Sequence, residues 1–181
     1  MTAPPPHAIS IRPGTPADAA VLTRLAATSY ADTFLADNDE QDMALFMAEA
    51  FHEDVQRAEL ADARRLVLLA EHDGEAVGYA MLREGPAPGH VGEVDAIEIA
   101  RLYVDRRWIG AGVGASLMQR CLEEAEHRGR RVVWLGVWEH NPRAIAFYRR
   151  WGFVKTGTQP YQLGRDLQTD HVMARPVARE G

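Results

Sequence analysis

The sequence predicts a mixed α/β fold in which one sheet is flanked by helices. Three observations carry this reading. Apolar runs of strand length and stretches with helical spacing follow one another in the order β-α-α-β-β-β-α-β-α-β-β, which is not the regular alternation of a doubly wound sheet. Two of the runs are joined by the tight turn His72-Asp73-Gly74-Glu75, the signal of an antiparallel hairpin. A third run ends at Val104 and leads through a glycine-rich turn directly into a helix. With 181 residues, 46% hydrophobic and 25% charged, the chain has the size and composition of one domain with a sizeable core. That domain is placed at residues 9–177, between tails at 1–8, which include Pro4, Pro5 and Pro6, and at 178–181.

Residues 9–12 read as a short first strand. Thr15 offers an N-cap, Pro16 the first helical position and Asp18 a capping-box partner. The helix they start is expected to reach Ala27 or Tyr30, with Ala20, Val21, Leu25 and Ala26 on its apolar side. Met43, Phe46, Met47 and Ala50 recur at helical spacing and predict a second helix over 40–51, with a short third over 55–60. Residues 66–70 and 76–82 form the hairpin strands. Gly85-Pro86-Ala87-Pro88-Gly89 is a loop, and 93–104 is a long strand. The helix after the glycines runs to about Arg128 and stops at Gly129, with Leu117, Cys121, Leu122 and Ala125 on its buried side. A strand at 132–137 follows, packed by Trp134 and Trp138 on either side of Gly136. A helix at 142–151 closes at Gly152. The last strands, 153–158 and 171–174, are joined by a polar loop.

Composition excludes several functions. The formal net charge is -6, from 26 acidic and 20 basic residues, which argues against a nucleic-acid partner. Cys121 is the one cysteine, so no intrachain disulfide can form and a reducing compartment is expected. No apolar leader and no run of membrane-spanning length occur, so no membrane partner and a cytoplasmic location are expected. The seven histidines lack metal-ligand spacing, and no metal is expected. Glu123, Glu124 and Glu126 read as a solvated helix face.

The most informative stretch is Leu102-Tyr103-Val104-Asp105-Arg106-Arg107-Trp108-Ile109-Gly110-Ala111-Gly112-Val113-Gly114. Glycines at alternate positions leave backbone N–H groups uncovered, and the helix N-terminus behind them adds partial positive charge. Together they form an anion cradle suited to phosphate. No Gly-Lys-Ser/Thr follows, so this is not a Walker A loop. Gly110, Gly112 and Ala115 satisfy G-x-G-x-x-A, with Glu139 as a ribose-binding acid. However, Asp105 to Ile109 intervene between strand and glycines, and the motif lies past the middle of the chain.

A different spacing fits better. With Gly112 and Gly114 as its glycines, the turn resembles the Gln/Arg-x-x-Gly-x-Gly/Ala motif of the Gcn5-related N-acetyltransferase (GNAT) family. Ile109 then stands where the family has Gln or Arg, leaving Arg106, Arg107 or Arg143 to supply a side-chain contact. An alignment starting at Arg107, with Gly110 and Gly112, fits the strand less well. The segment Asn141-Pro142-Arg143-Ala144-Ile145-Ala146-Phe147-Tyr148-Arg149-Arg150-Trp151-Gly152-Phe153 resembles a second family signature, Asn-x-x-Ala-x-x-x-Tyr-x-x-x-Gly-Phe. Trp134-Leu135-Gly136-Val137-Trp138-Glu139, Gly157, Leu163-Gly164 and Gln168-Thr169-Asp170-His171-Val172-Met173, with Ala31-Asp32-Thr33-Phe34 and Ala50-Phe51, resemble the bacterial Pai-type branch of spermidine/spermine N-acetyltransferases.

The resemblance implies a GNAT-like sheet, mixed and mostly antiparallel, splayed between its two central strands. It also implies acetyl-CoA as co-substrate and a small-molecule primary amine, a polyamine in the Pai-type branch, as acceptor. A homodimer is implied by the family alone. Leu102, Tyr103 and Val104 would contact the pantetheine arm, with the Leu102 N–H holding the oxyanion of a tetrahedral intermediate. The N–H groups of Ile109, Gly110, Ala111, Gly112, Val113, Gly114 and Ala115 would hold the phosphates. Asn141 would cap its helix and bond the pantetheine amide, Arg143 would add a phosphate contact, and Tyr148 would protonate the departing thiolate. An alkylammonium with a pKa near ~10.4 must lose a proton before it attacks. Glu98 is the leading base, placed by period-two alternation on the face of Leu102, with Glu93, Asp95 and His140 as rivals. Asp32, Asp37, Asp39 and Glu40 are candidates for the acceptor wall. Two other classes stay open: an acetyl-CoA-binding regulator with little turnover, and a dinucleotide-dependent oxidoreductase.

Overall fold

The structure, a computed structural model, describes residues 9–92 and 95–177. The two expected tails and Glu93, at the expected start of the long strand, lie outside the described residues. Seven strands form one sheet in the order β1-β2-β3-β4-β5-β7-β6: β1 (Ser10–Pro13), β2 (Arg65–His72), β3 (Glu75–Glu84), β4 (Ala96–Val104), β5 (Val132–Trp138), β6 (Val154–Leu163) and β7 (Asp166–Pro176). Among the described residues, β4 with β5 is the one parallel pairing. The expected mixed, mostly antiparallel sheet is therefore present. The dinucleotide reading of the glycine turn is not realised, because it requires a run of parallel strands.

Helices cover both faces. One face carries α4 (Val113–His127) and α5 (Pro142–Arg150), whose Val113, Leu117, Met118, Cys121, Ala125 and Ile145 pack on Leu68, Ala80, Leu82, Ile97, Ile99, Val133 and Leu135. The other carries α1 (Ala19–Phe34), α2 (Glu40–Ala50) and α3 (Glu53–Ala61), whose side chains meet Val67, Leu69, Tyr79 and Met81. Cys121 is fully buried, and desolvation pushes its thiol up to about 12, as suits a small core residue.

Several local expectations change. The Thr15–Asp18 capping box forms, with the Thr15 N–H donating to Asp18 at 2.8 Å, but its first turn is a 3-10 turn and α1 runs on to Phe34. The buried stripe of α1 is Ala19, Leu22, Leu25, Ala26, Ser29 and Tyr30, while Ala20 and Val21 flank it. The polar loop expected after 158 is instead a hairpin: β6 and β7 pair from Val154 to Leu163. Its polar residues alternate with buried ones in Asp170, Val172 and Ala174, a half-buried strand pattern disguised by exposed neighbours. The hairpin turn docks on α2, where Arg165 donates from its backbone N–H and its Nε to Asp42 at 2.9 and 2.8 Å.

Two departures from regularity shape the centre of the sheet. β4 and β5 pair only over Ala96–Val132, Ile97–Val133 and Glu98–Trp134; beyond that they separate into a fork. In β4, Ile99 faces Leu82 and Arg101 faces Met81, so Ala100 is an extra, bulged residue. The bulge reverses the alternation of side chains downstream. Ile97, Ile99, Leu102 and Val104 meet the α4 face, while Ala100 and Tyr103 meet the α1 face. Glu98 therefore shares its face with Arg101 and Tyr103, and not with Leu102 as simple alternation predicts.

Candidate active site

The fork opens into a cavity of about 1000 Å³ that runs through the sheet from the glycine turn to the helices on the opposite face. On the α4 side it is lined by Leu102, Val104, Trp108, Ile109, Gly110, Gly112, Gly114, Ala115, Asn141, Arg143, Phe147, Tyr148 and Arg150. Gly110 and Gly112 both have φ of +87°, the left-handed region that favours glycine, and a Cβ on either would meet open space. The backbone N–H groups of Gly110, Gly112, Val113, Gly114 and Ala115 find no acceptor among the described residues. Those of Ile109 and Ala111 are spent inside the turn, on Arg106 and Trp108 at 3.4 and 3.1 Å. The anion cradle is thus narrower than the sequence suggested, and Ala111 does not line the cavity. Val113 contributes its N–H while its side chain is fully buried. Arg107 is held by Asp105 at 2.7 Å, and neither it nor Arg106 lines the cavity. Arg143 does, beside Arg150, which lies over the Phe147 ring at 5.8 Å and was not expected from sequence.

Asn141 caps α5, its Oδ1 accepting from the Ala144 N–H at 3.1 Å, which leaves its Nδ2 group for the cavity. Tyr148 lies between Phe147 and Phe153, with ring centroids at 5.5 and 5.9 Å, and lines the fork. Desolvation raises its phenol above the usual range, so it stays protonated at neutral pH and is equipped to donate. No hydrogen bond from the described residues occupies its hydroxyl.

On the α1 side the cavity is walled by Tyr30, Phe34, Phe46, Phe51, Tyr103, Trp138 and Tyr161. Tyr30 stacks on Phe46 at 4.8 Å, its hydroxyl lies 3.3 Å from that of Tyr161, and Phe34 meets Trp138 at 6.0 Å. Charged groups are set into this aromatic wall. Glu98, buried, is bound by the Arg83 guanidinium, with Nε and Nη2 both at 2.7 Å. Burial raises its pKa and Arg83 opposes the rise. Glu59 accepts from Arg101 at 2.7 Å and from Arg65 at 2.9 Å. Asp170, on β7 opposite Trp138, is buried, and desolvation with the nearby charge of Glu139 raises its pKa to about 6.

The chain is similar to known proteins. The profile of the acetyltransferase (GNAT) family matches residues 28–153. An uncharacterised N-acetyltransferase of Lactobacillus delbrueckii is 32% identical over 149 residues, 82% of this chain and 86% of that one. The chain belongs to the acetyltransferase (GNAT) family. The spermine/spermidine N(1)-acetyltransferase of Bacillus subtilis is 28% identical over 87 residues, 48% of this chain and 57% of that one. Among solved structures, the PaiA N-acetyltransferase of Thermoplasma acidophilum in complex with coenzyme A superposes with a TM-score of 0.77, at 19% identity, over 93% of this chain and 99% of that one.

With membership shown, the GNAT fold and an N-acetyltransferase that uses acetyl-CoA as co-substrate stand as expected. The fork, the uncovered N–H groups and the open positions at Gly110 and Gly112 fit such a co-substrate. The acceptor-wall candidates do not hold: Asp32, Asp37, Asp39 and Glu40 are exposed and none lines the cavity. Asp39 instead caps α2, accepting from the N–H groups of Gln41 and Asp42. Of the rival bases, Asp95 and His140 are exposed and outside the cavity, and Glu93 lies outside the described residues. Sequence reasoning passed over Asp170 as an acid, although it alternates with Val172 and Ala174 as a buried strand residue does. No helix among the described residues is long and apolar enough to cross a membrane.

Proposed function

We propose that this GNAT protein moves the acetyl group of acetyl-CoA to a primary amine by direct attack within the fork. The observation that carries the reading is the fork itself: an unpaired β4 edge, a run of free N–H groups and an aromatic acceptor wall share one cavity. The phosphates lie on the N–H groups of Gly110 and Gly112 to Ala115, with Arg143 and Arg150 at the mouth. The β4 edge from Leu102 to Val104 takes the pantetheine arm as an added strand would, and Asn141 Nδ2 donates to it. The Leu102 N–H faces the oxyanion. Tyr148 gives its proton to the departing sulfur.

A proton acceptor for the ammonium must come from the acceptor side. Glu98, the carboxylate chosen from sequence, lines the cavity together with Asp170 and Glu59, and a carboxylate of this set takes the proton directly or through a water. The Pai-type segments and the partial match to the Bacillus spermine/spermidine enzyme make a polyamine one candidate acceptor, and the aromatic wall of the cavity makes an amine of single charge another. The test is release of CoA thiol from acetyl-CoA by the purified protein across a panel of amines, spermidine and spermine included. Turnover with an acetylated amine as product supports the reading, and tight acetyl-CoA binding without turnover on any amine points to a regulator. The mass of the same preparation in solution reads out the homodimer that the resemblance implies.

A further inference from the structure

The carboxylates that line the cavity are not equivalent. Glu59 is engaged by Arg65 and Arg101, and Glu98 by Arg83. Asp170 receives no hydrogen bond or ion pair from the described residues, although it is only 8% exposed and lines the cavity. A desolvated carboxylate that opens onto a cavity is placed to pair with a cationic group entering there.

The surroundings say where that ligand lies. Asp170 pairs with Trp138, four residues beyond the last parallel contact at Trp134. Glu98 is the β4 partner of Trp134, so Asp170 sits across the open fork at the level of Leu102 and Tyr103. Its neighbour on β6 is Gln159. Both side chains lean over Gly136, where an added Cβ would stand 2.7 Å from Gln159 Nε2 and 3.1 Å from Asp170 Oδ2. Gly136 thus provides the clearance that lets the carboxylate reach the acceptor side. Tyr30 and Tyr161 place their hydroxyls on the same side, and the rings of Phe34 and Trp138 complete the wall.

We propose that Asp170 is a catalytic residue that holds the acceptor's ammonium group and takes its proton, and that the preferred acceptor carries one positive charge on an apolar or aromatic body. This deepens the transferase reading and rests on it. The step balances as follows. The Asp170 carboxylate removes one proton from R–NH3+, and the freed nitrogen pair forms the C–N bond at the thioester carbonyl. The C–S bond then breaks, and the sulfur leaves with the proton of Tyr148. The nitrogen's second proton restores Tyr148, and Asp170 passes its own to solvent. The body of the amine lies among Phe34, Phe46, Phe51 and Tyr103. Further ammonium groups, as in a polyamine, would find carboxylates already matched by Arg65, Arg83 and Arg101.

Phenethylamine and spermidine serve as probes of one charge against several. For the wild type, kcat/KM on phenethylamine should exceed that on spermidine and rise with pH through about 6, as Asp170 loses its proton. The titratable groups that act on Asp170 are Glu139 after β5, Tyr161 on β6 and Tyr30 on α1. Asp170→Asn should lower kcat/KM on the order of 10²-fold and abolish that limb of the profile, with acetyl-CoA binding unchanged. Glu98→Gln should keep the limb. A limb lost in Glu98→Gln and kept in Asp170→Asn, or a preference for spermidine, overturns the proposal. Calorimetric binding of phenethylamine to the protein loaded with CoA separates the two readings. If the wild type binds the amine without turning it over and Asp170→Asn does not bind, the site stands and the transferase reading fails. If Asp170→Asn binds as the wild type does, the proposal fails whatever the turnover.

Discussion

Glu98 and Asp170 show how much the chemistry of a carboxylate depends on its neighbours. Both are buried acids on strands that border the fork, yet Arg83 binds one and, among the described residues, no side chain binds the other. The difference has a thermodynamic signature. An aspartate with an ordinary value of 3.8 in the unfolded chain and about 6 in the fold takes up its proton more readily when folded. Its contribution to stability is present below pH 3.8 and is lost as pH rises toward 6. Asp170→Asn is therefore expected to melt higher than the wild type at pH 8, by a margin that shrinks toward pH 4; a lower melting temperature at pH 8 contradicts the unpaired state. Tyr148→Phe removes one hydroxyl from a position in the fork. It should lower kcat on the order of 10²-fold while leaving acetyl-CoA affinity unchanged, since general acid catalysis contributes at least that much. Gly112→Ala should cost about 1–2 kcal/mol, because φ of +87° brings a Cβ against its own backbone. Thermal unfolding should register that cost as a lower melting temperature.

Elements were legible where one local rule decided them. The capping box at Thr15, the tight turn at Gly74 and the helical spacing of Met43, Phe46 and Met47 each follow from nearby residues, and each is present. The glycine turn and the Asn141–Phe153 signature located the Gly112 turn, Asn141 and Tyr148 along the fork for the same reason. Two features were not legible. The bulge at Ala100 depends on how β3 and β4 register, a non-local fact, and it moved Glu98 off the face of Leu102. The β6–β7 hairpin looked like a loop because its outward residues include the polar Thr158 and Gln162 and the turn-former Pro160, and its inward ones are few. That concealed Asp170. The fork itself makes a prediction on this scale. Amides of β4 from Leu102 to Val104 that face β5 have no strand partner, so they should exchange quickly in the free protein and slow markedly when acetyl-CoA is added. Equal exchange with and without acetyl-CoA would show that the arm does not dock along that edge.

Across the whole molecule, two layers of helices hold a sheet that is continuous everywhere but at its functional centre. The core under α4 locks the upper arm of the fork to the glycine turn, through fully buried Val113 and Leu117. The aromatic core under α1 to α3 supplies the acceptor wall from the opposite face. In the proposed function, donor and acceptor reach the fork from different sides of the sheet and react directly; a bound but idle acetyl-CoA is the alternative. The measurement that decides between them is CoA thiol release matched to acetylated amine in the same reaction, for wild type and Tyr148→Phe side by side. The account predicts thiol and acetylamine in equal amounts, with both falling together in the variant. Saturable acetyl-CoA binding with no amine-dependent thiol release from the wild type would contradict it.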